Sequence, residues 1–187
     1  MNGTTTLTTE RLLLRRYEPG DAQTLHEKFG TDEKMFEFSG WNPYASLKQA
    51  EKTVAEFIEG YGTDHFYGWA LELAEEKGRE QAGDLVGTIG AYDFDPAENS
   101  IEIGCSIARD HWGRGFASEA VRETLRYLLE EEGIGRVTAW CAADNIGSMR
   151  AMEKAGMQQV SREAGALQIG DKVYDKLYYE IKQGEGK

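Results

Sequence analysis

Residues 101–120, IEIGCSIARDHWGRGFASEA, switch from one periodicity to another within a single short stretch, and this restricts the fold more than any other feature of the chain. Ile101, Ile103, Cys105 and Ile107 alternate with Glu102, Gly104, Ser106 and Ala108. That is the period of two of a strand with one buried face. From Ala117 the apolar positions fall at Ala117, Ala120, Val121, Thr124, Leu125, Leu128 and Leu129, the stripe of an amphipathic helix. A short loop with Gly113 and Gly115 joins the two. At such a junction consecutive backbone N–H groups have no internal partner, and the helix dipole adds positive potential, so anions bind there. Glycines without Cβ atoms let a pyrophosphate approach the backbone closely.

Two other phosphate-binding motifs also use glycines in such a loop. A dinucleotide fingerprint needs a third glycine and an acidic residue about 20 positions on, at the end of the next strand. Here Ser118 stands at the third position and the next strand begins only at Arg136. A P-loop needs Gly-Lys-Ser/Thr, which the chain lacks. A loop whose glycines merely turn the chain is the bland alternative. The stretch resembles the acyl-CoA-binding loop of the GNAT acetyltransferases, in which Gln or Arg is followed after two residues by Gly, any residue, and Gly or Ala. The matching residues are Asp110, His111, Trp112, Gly113, Arg114 and Gly115, with Asp110 departing from the pattern. With Glu102, Ile103 and Gly104 before it and WGRGFASEA within it, the string is similar to the RimJ/RimL type. LTTERLLLRRYEPGDA, residues 7–22, resembles the opening of that type.

The chain has 187 residues, enough to bury a core as one domain, with residues 1–6 and 182–187 expected to be loose. A formal net charge of −12 argues against nucleic acid as a partner and favours basic or amine-bearing ones. No apolar run approaches the roughly 18 residues of a membrane span, and MNGTTTLTTE lacks the basic and apolar regions of a signal peptide. A cytoplasmic protein without a membrane partner is expected. Cys105 and Cys141 show no ligand-like spacing, so no metal is expected and both read as small buried hydrophobes.

Along the chain, Leu7–Arg16 reads as a first strand, and residues 18–29 and the stretch after Ser46 read as helices. Phe36, Phe38, Trp41 and Tyr44 crowd the loop between those helices, where they either line an acceptor pocket or plug the core. Trp41 and Tyr44 are the substrate-binding candidates. Residues 66–74 and 85–94 read as strands joined by an exposed loop, EEKGREQAGD; residues 117–132 form a crossover helix to a strand over 136–142. A strand-helix-strand crossover implies parallel pairing, and splayed parallel strands would open a crevice beside the glycine loop. Gly104 suggests a bulge that frees backbone donors near Cys105 and Ser106 for an oxyanion. A last helix capped by Asp144 or Asn145 and a terminal hairpin, residues 158–166 and 172–181, complete the chain.

CAADNIGSMRAMEKAGM, residues 141–157, is also similar to the family, in the segment that runs along the CoA arm. The resemblance implies a GNAT fold: an α/β (α+β) domain with a mixed, mostly antiparallel sheet of about seven strands, one splayed parallel pair and about four helices. It implies acetyl-CoA as cosubstrate, held by Cys105, Ser106, Ile107, Trp112, Gly113, Arg114, Gly115, Phe116, Ala117, Asn145 and Ser148. Ser148 would face the thioester sulfur. Met152 stands where many relatives carry a Tyr that protonates the departing thiolate, leaving Ser148, water or no group as the acid. An acceptor ammonium must lose a proton before it attacks, and Glu102 is the candidate base. His111 is the rival by chemistry, with a CoA contact or no role as its other readings, while His26 and His65 are expected to be exposed. The expected function is an N-acetyltransferase acting by direct attack of a primary amine, a protein N-terminus or a small molecule, as a monomer or homodimer. A non-catalytic acyl-CoA-binding module and a nucleotide binder are the alternatives.

Overall fold

The computed structural model describes residues 2–74 and 83–184. Its framework is one eight-stranded sheet in the order β1-β2-β3-β4-β5-β6-β8-β7. The strands are β1 (Leu7–Thr8), β2 (Leu12–Arg15), β3 (Tyr67–Leu73), β4 (Leu85–Asp95), β5 (Ser100–Ile107), β6 (Arg136–Ala142), β7 (Gln158–Ile169) and β8 (Lys172–Lys182). The helices are α1 (Asp21–Leu25), α2 (Leu47–Gly60), α3 (Phe116–Arg126) and α4 (Ile146–Lys154). Wider π-type turns, His26–Gly30 and Tyr127–Glu131, extend α1 and α3. Every neighbouring pair is antiparallel except β5–β6, as the crossover through α3 requires. The expected first strand breaks into β1 and β2, because Leu12 N–H and Arg11 N–H turn back onto the Thr9 hydroxyl at 2.9 and 3.4 Å. Of the loop expected over 75–84, only Gly83 and Asp84 lie within the described residues.

Alternation along the strands sorts side chains onto two faces. Ile101, Ile103 and Ile107 of β5, with Val137, Ala139 and Cys141 of β6, pack against Ala120, Val121 and Leu125 of α3 and Met152 of α4. On the opposite face α1 and α2 cover only part of the sheet, through Ala22, Leu25, Phe29, Ala50 and Val54 against Ala70 and Leu85. The centre of that face stays partly exposed at Glu102, Gly104, Ser106 and Trp140.

Residues 2–6 are pinned rather than loose. Thr4 is fully buried, its hydroxyl donating to the Phe66 carbonyl at 3.0 Å and accepting from Gly68 N–H at 3.1 Å. The carboxylate of Glu132 accepts Asn2 N–H at 2.8 Å, Tyr67 hydroxyl at 2.8 Å and Tyr127 hydroxyl at 3.1 Å. Burial alone would raise the Glu132 carboxyl, but its donors outweigh that and hold it below its ordinary value. A depressed folded pKa gives stability that is present above the unfolded pKa and lost as pH falls through the folded one. Glu132→Gln is therefore expected to cost about 1–3 kcal/mol near neutral pH, with the gap from the unaltered protein narrowing below about pH 4. Thermal melts at the two pH values check this; a gap independent of pH would mean that the charge of Glu132 is not what binds the terminal segment.

Candidate active site

Strands β5 and β6 pair only at Ser100↔Arg136, Ile101↔Val137 and Glu102↔Thr138. Beyond that point β5 keeps its ladder to β4 as far as Ile107, and β6 keeps its ladder to β8 as far as Ala142. The two strands thus part, and among the described residues no strand pairs with the inner backbone edge of residues 103–107. This fork lies where β5 runs toward the glycine loop.

The loop is built as an anion cradle. Gly113 and Gly115 have φ of +72° and +85°, in the left-handed region, and a Cβ on Gly113 would meet nothing within 4 Å. Gly115 is the N-cap of α3 without a side-chain cap. The first-turn N–H groups of Phe116, Ala117 and Ser118 therefore have no helical acceptor. Phe116 contributes only that backbone group, since its ring is buried in the core with the guanidinium groups of Arg11 and Arg114 at 4.7 and 5.2 Å from its centroid. Trp112 is half-exposed and its indole N–H donates to the Ile107 carbonyl at 2.6 Å. Ile107 itself is buried. An open cradle of left-handed glycines beside Arg114, opening on a free strand edge, fits the diphosphate and extended arm of a coenzyme A.

His111 is buried, so it is a post under the loop rather than a surface contact. Its Nδ1 lies 3.0 Å from Arg114 Nη1, and its Nε2 lies 3.5 Å from Asp84. Accepting from Arg114 requires the neutral ring with its proton on Nε2. His26 and His65 are likewise partly buried: His26 Nδ1 lies 2.8 Å from the Tyr44 carbonyl, and His65 stacks on Phe94 at 3.7 Å.

Across the fork, Glu102 and Ser148 occupy opposite faces of the sheet. Asn145 caps α4 through its side-chain oxygen, which accepts Ser148 N–H at 3.1 Å, and this puts Ser148 beside the Cys141 thiol on the α3–α4 face. Burial pushes the Cys105 and Cys141 thiols up to about 12 and about 11, so both stay protonated. Met152 is buried in the core. On the other face, Trp140 Nε1–H donates to Glu102 Oε1 at 3.0 Å. Burial raises the Glu102 carboxyl above its ordinary value, against the pull of Trp140, Lys176 and Tyr92. The Lys176 ammonium sits over the Trp140 and Tyr178 rings at 4.3 and 4.8 Å.

No bulge occurs at Gly104. The β4–β5 register is unbroken from Gly87↔Ile107 to Tyr92↔Glu102, and the irregularity lies between Tyr92 and Asp95. The free donors near Cys105 and Ser106 come from the fork instead. Gly68, Gly90 and Gly104 stand in register across β3, β4 and β5, and the rings of Phe57 and Tyr92 lie over Gly68 and Gly104. Trp41 is 67% exposed, whereas Tyr44 is buried against Phe29 with its hydroxyl toward Tyr17 and Thr88, so it is a core residue and not an open pocket wall.

A family model described as an acetyltransferase (GNAT) domain matches residues 11–158. The chain belongs to the GNAT acetyltransferases. It is an N-acetyltransferase. The uncharacterized N-acetyltransferase YoaA of Bacillus subtilis is 31% identical over 175 residues, 94% of this chain and 95% of its own length. A GNAT-family acetyltransferase from Bacillus anthracis superposes with a TM-score of 0.81 at 26% identity, over 97% of this chain and 100% of that one. The spermidine N-acetyltransferase of Vibrio cholerae, solved with CoA and spermine, shares the fold at a TM-score of 0.79 and 20% identity, over 95% and 98% of the two chains. Among the described residues no helix is long and apolar enough to cross a membrane, and no group of His, Cys, Asp or Glu is placed to hold a metal.

Arg11 and Glu119 lie in two separate strings that resemble the family, and neither string by itself shows that they pair. Glu119, in the first turn of α3, accepts the Thr9 hydroxyl, Arg11 N–H at 2.9 Å and Arg11 Nε–H at 2.7 Å, while Arg11 Nη1 donates to the Arg114 carbonyl at 3.0 Å. The β1–β2 turn thereby fixes both the loop and the start of α3. Arg11→Met is expected to cost about 2 kcal/mol, a fall in Tm of about 4–8 °C, and to speed amide exchange over residues 112–118. Unchanged exchange there would mean that the cradle keeps its shape without Arg11.

Proposed function

We propose that this protein is an acetyl-CoA-dependent N-acetyltransferase of the RimJ/RimL type, cytoplasmic, that acetylates a primary amine by direct attack with Glu102 as general base. The observation that carries this reading is the fork after Glu102↔Thr138, with an anion cradle at its mouth and a half-buried carboxylate on one face. The pyrophosphate of acetyl-CoA lies on the N–H groups of residues 113–117 with Arg114 beside it, and the pantetheine arm follows the free edge of β5 as an added strand would. The thioester then reaches the fork, where unpaired donors of residues 103–107 stabilise the oxyanion.

The acceptor enters from the Glu102 face. Its ammonium loses a proton toward Glu102, and the freed lone pair attacks the thioester carbonyl. The tetrahedral intermediate collapses with cleavage of the C–S bond, the amide nitrogen gives its second proton to the departing thiolate, and Glu102 returns its proton to water. Ser148 lies on the opposite face, on the side of the leaving sulfur, where its hydroxyl can donate to the thiolate. Acceptors consistent with this geometry are protein N-termini and small amines. The Vibrio cholerae spermidine N-acetyltransferase of similar fold supports the amine class, and Trp41, exposed in the loop before α2, is the aromatic assigned to the acceptor.

Saturating acetyl-CoA or CoA, at about 100 times Kd, is expected to raise Tm by about 5–11 °C, and NAD or ATP to leave it unchanged. Gly115→Glu puts charge and bulk in the cradle and should remove that shift; a folded variant that still responds would take the loop out of the mechanism. Glu102→Gln should lower kcat with an alkylamine by about 100-fold or more. Because the base must be ionised, kcat/KM of the unaltered enzyme should fall on the acid side with an apparent pKa above that of an ordinary glutamate. A rate that is flat with pH there, together with an active Glu102→Gln, would reject Glu102 as base.

A further inference from the structure

Gly104 is the first residue of β5 beyond the fork on the Glu102 face, and the structure supplies a reason for its being glycine. A Cβ there would lie 2.8 Å from the hydroxyl of Tyr92, with the ring carbons next at 3.3 and 3.5 Å. Tyr92 is the cross-strand partner of Glu102. Its ring leans over the next row of the sheet, so the hydroxyl stands above the backbone that borders the fork. The side chain is 44% exposed, open to a ligand entering from that face. Glu102 is already engaged from the other strand, Oε1 by the indole N–H of Trp140. The phenol faces the same carboxylate from β4. A hydroxyl can donate to one partner and accept from another at once. Standing between the carboxylate and the mouth of the fork, this one is placed to do both.

We propose that Tyr92 is a catalytic residue of the transferase: its hydroxyl takes a proton from the acceptor ammonium while passing its own to Glu102, and Gly104 is glycine to make room for it. The proposal rests on the reading of Glu102 as the base. In the relay an N–H bond of the ammonium breaks as a new O–H bond forms on Tyr92, and the former Tyr92 O–H breaks as one forms on Glu102. The amine is left neutral, Tyr92 is unchanged and Glu102 is protonated. The charged and titratable groups that bear on the carboxylate are Tyr92 and Asp93 of β4 and Lys176 of β8, with Trp140 of β6 donating. Burial and the negative charge of Glu102 hold the phenol above its ordinary value, which keeps it a neutral O–H donor across the working range.

The test is a double-mutant cycle of Tyr92→Phe and Gly104→Ala, with Glu102→Gln alongside, read with acetyl-CoA and two acceptors: a short primary alkylamine, protonated at neutral pH, and hydroxylamine, which is not. With the alkylamine, Tyr92→Phe is expected to lower kcat about 100-fold with little change in KM. Gly104→Ala should lower it comparably by pushing the hydroxyl aside, and the double variant should be no worse than either single one. The deficit of Tyr92→Phe should shrink with hydroxylamine, which needs no proton removed before attack. Thermal stability gives a readout that needs no turnover: Gly104→Ala should destabilise the unaltered protein more than it destabilises Tyr92→Phe. Near-normal alkylamine turnover by Tyr92→Phe, with Glu102→Gln inactive, would overturn the relay and keep the base. An active Glu102→Gln would reject the base itself. Equal stability costs of Gly104→Ala in both backgrounds would show that the hydroxyl does not stand over Gly104.

Discussion

The three-residue pairing of β5 with β6 is the constraint on which the site depends. Beyond the fork each strand is held by its outer neighbour, β5 by β4 and β6 by β8, so the two can part without either losing its place in the sheet. Parting leaves inner N–H and C=O groups without strand partners, and such groups need water or a ligand. An extended chain that carries its own hydrogen-bonding groups is the natural occupant. A longer β5–β6 ladder would satisfy those groups internally, and the sheet would be continuous at the proposed acyl site.

The fork also separates two electrostatic environments. On the side of α3 lie the start of a helix, Arg114, and Arg11 bound to Glu119, in a chain whose net charge is −12. Arg114 and the helix start are the positive elements on that side, in a protein that is acidic as a whole. On the opposite face lie Glu102, Tyr92, Trp140 and Tyr178, a carboxylate among aromatic rings. A cation is already seated there, since Lys176 rests on two of those rings. On the proposed reading, the anionic cosubstrate and the cationic acceptor meet from opposite faces of one sheet, through the gap between the strands.

Much of this was legible in the residues. The period-two run over 101–108, the glycines at 113 and 115 and the apolar stripe from Ala117 are local patterns, and β5, the cradle and α3 follow them closely. Glu102 on the polar face and Cys141 in the core follow from the same alternation. Gly104 was open to misreading because a glycine in a strand has two physical causes, an irregular backbone or a neighbour that needs the space of a Cβ. The choice between them depends on Tyr92 in the adjacent strand. Tyr44 sits in a loop rich in aromatics, and spacing alone does not distinguish a ring that lines a pocket from one that closes a core. Arg11 and Glu119 lie 108 residues apart, and no local pattern joins them.

What the sequence determined by itself is therefore the set of elements and the chemistry each carries, because periodicity, glycine conformation and helix-end polarity act within a few residues. The tertiary structure decided how far β5 and β6 pair, which side chains meet across strands, and which half-buried groups remain open. Those outcomes rest on register and layer packing across the whole sheet. Tyr92 opposes Glu102, and Trp140 reaches back to it, only because three strands lie in one register.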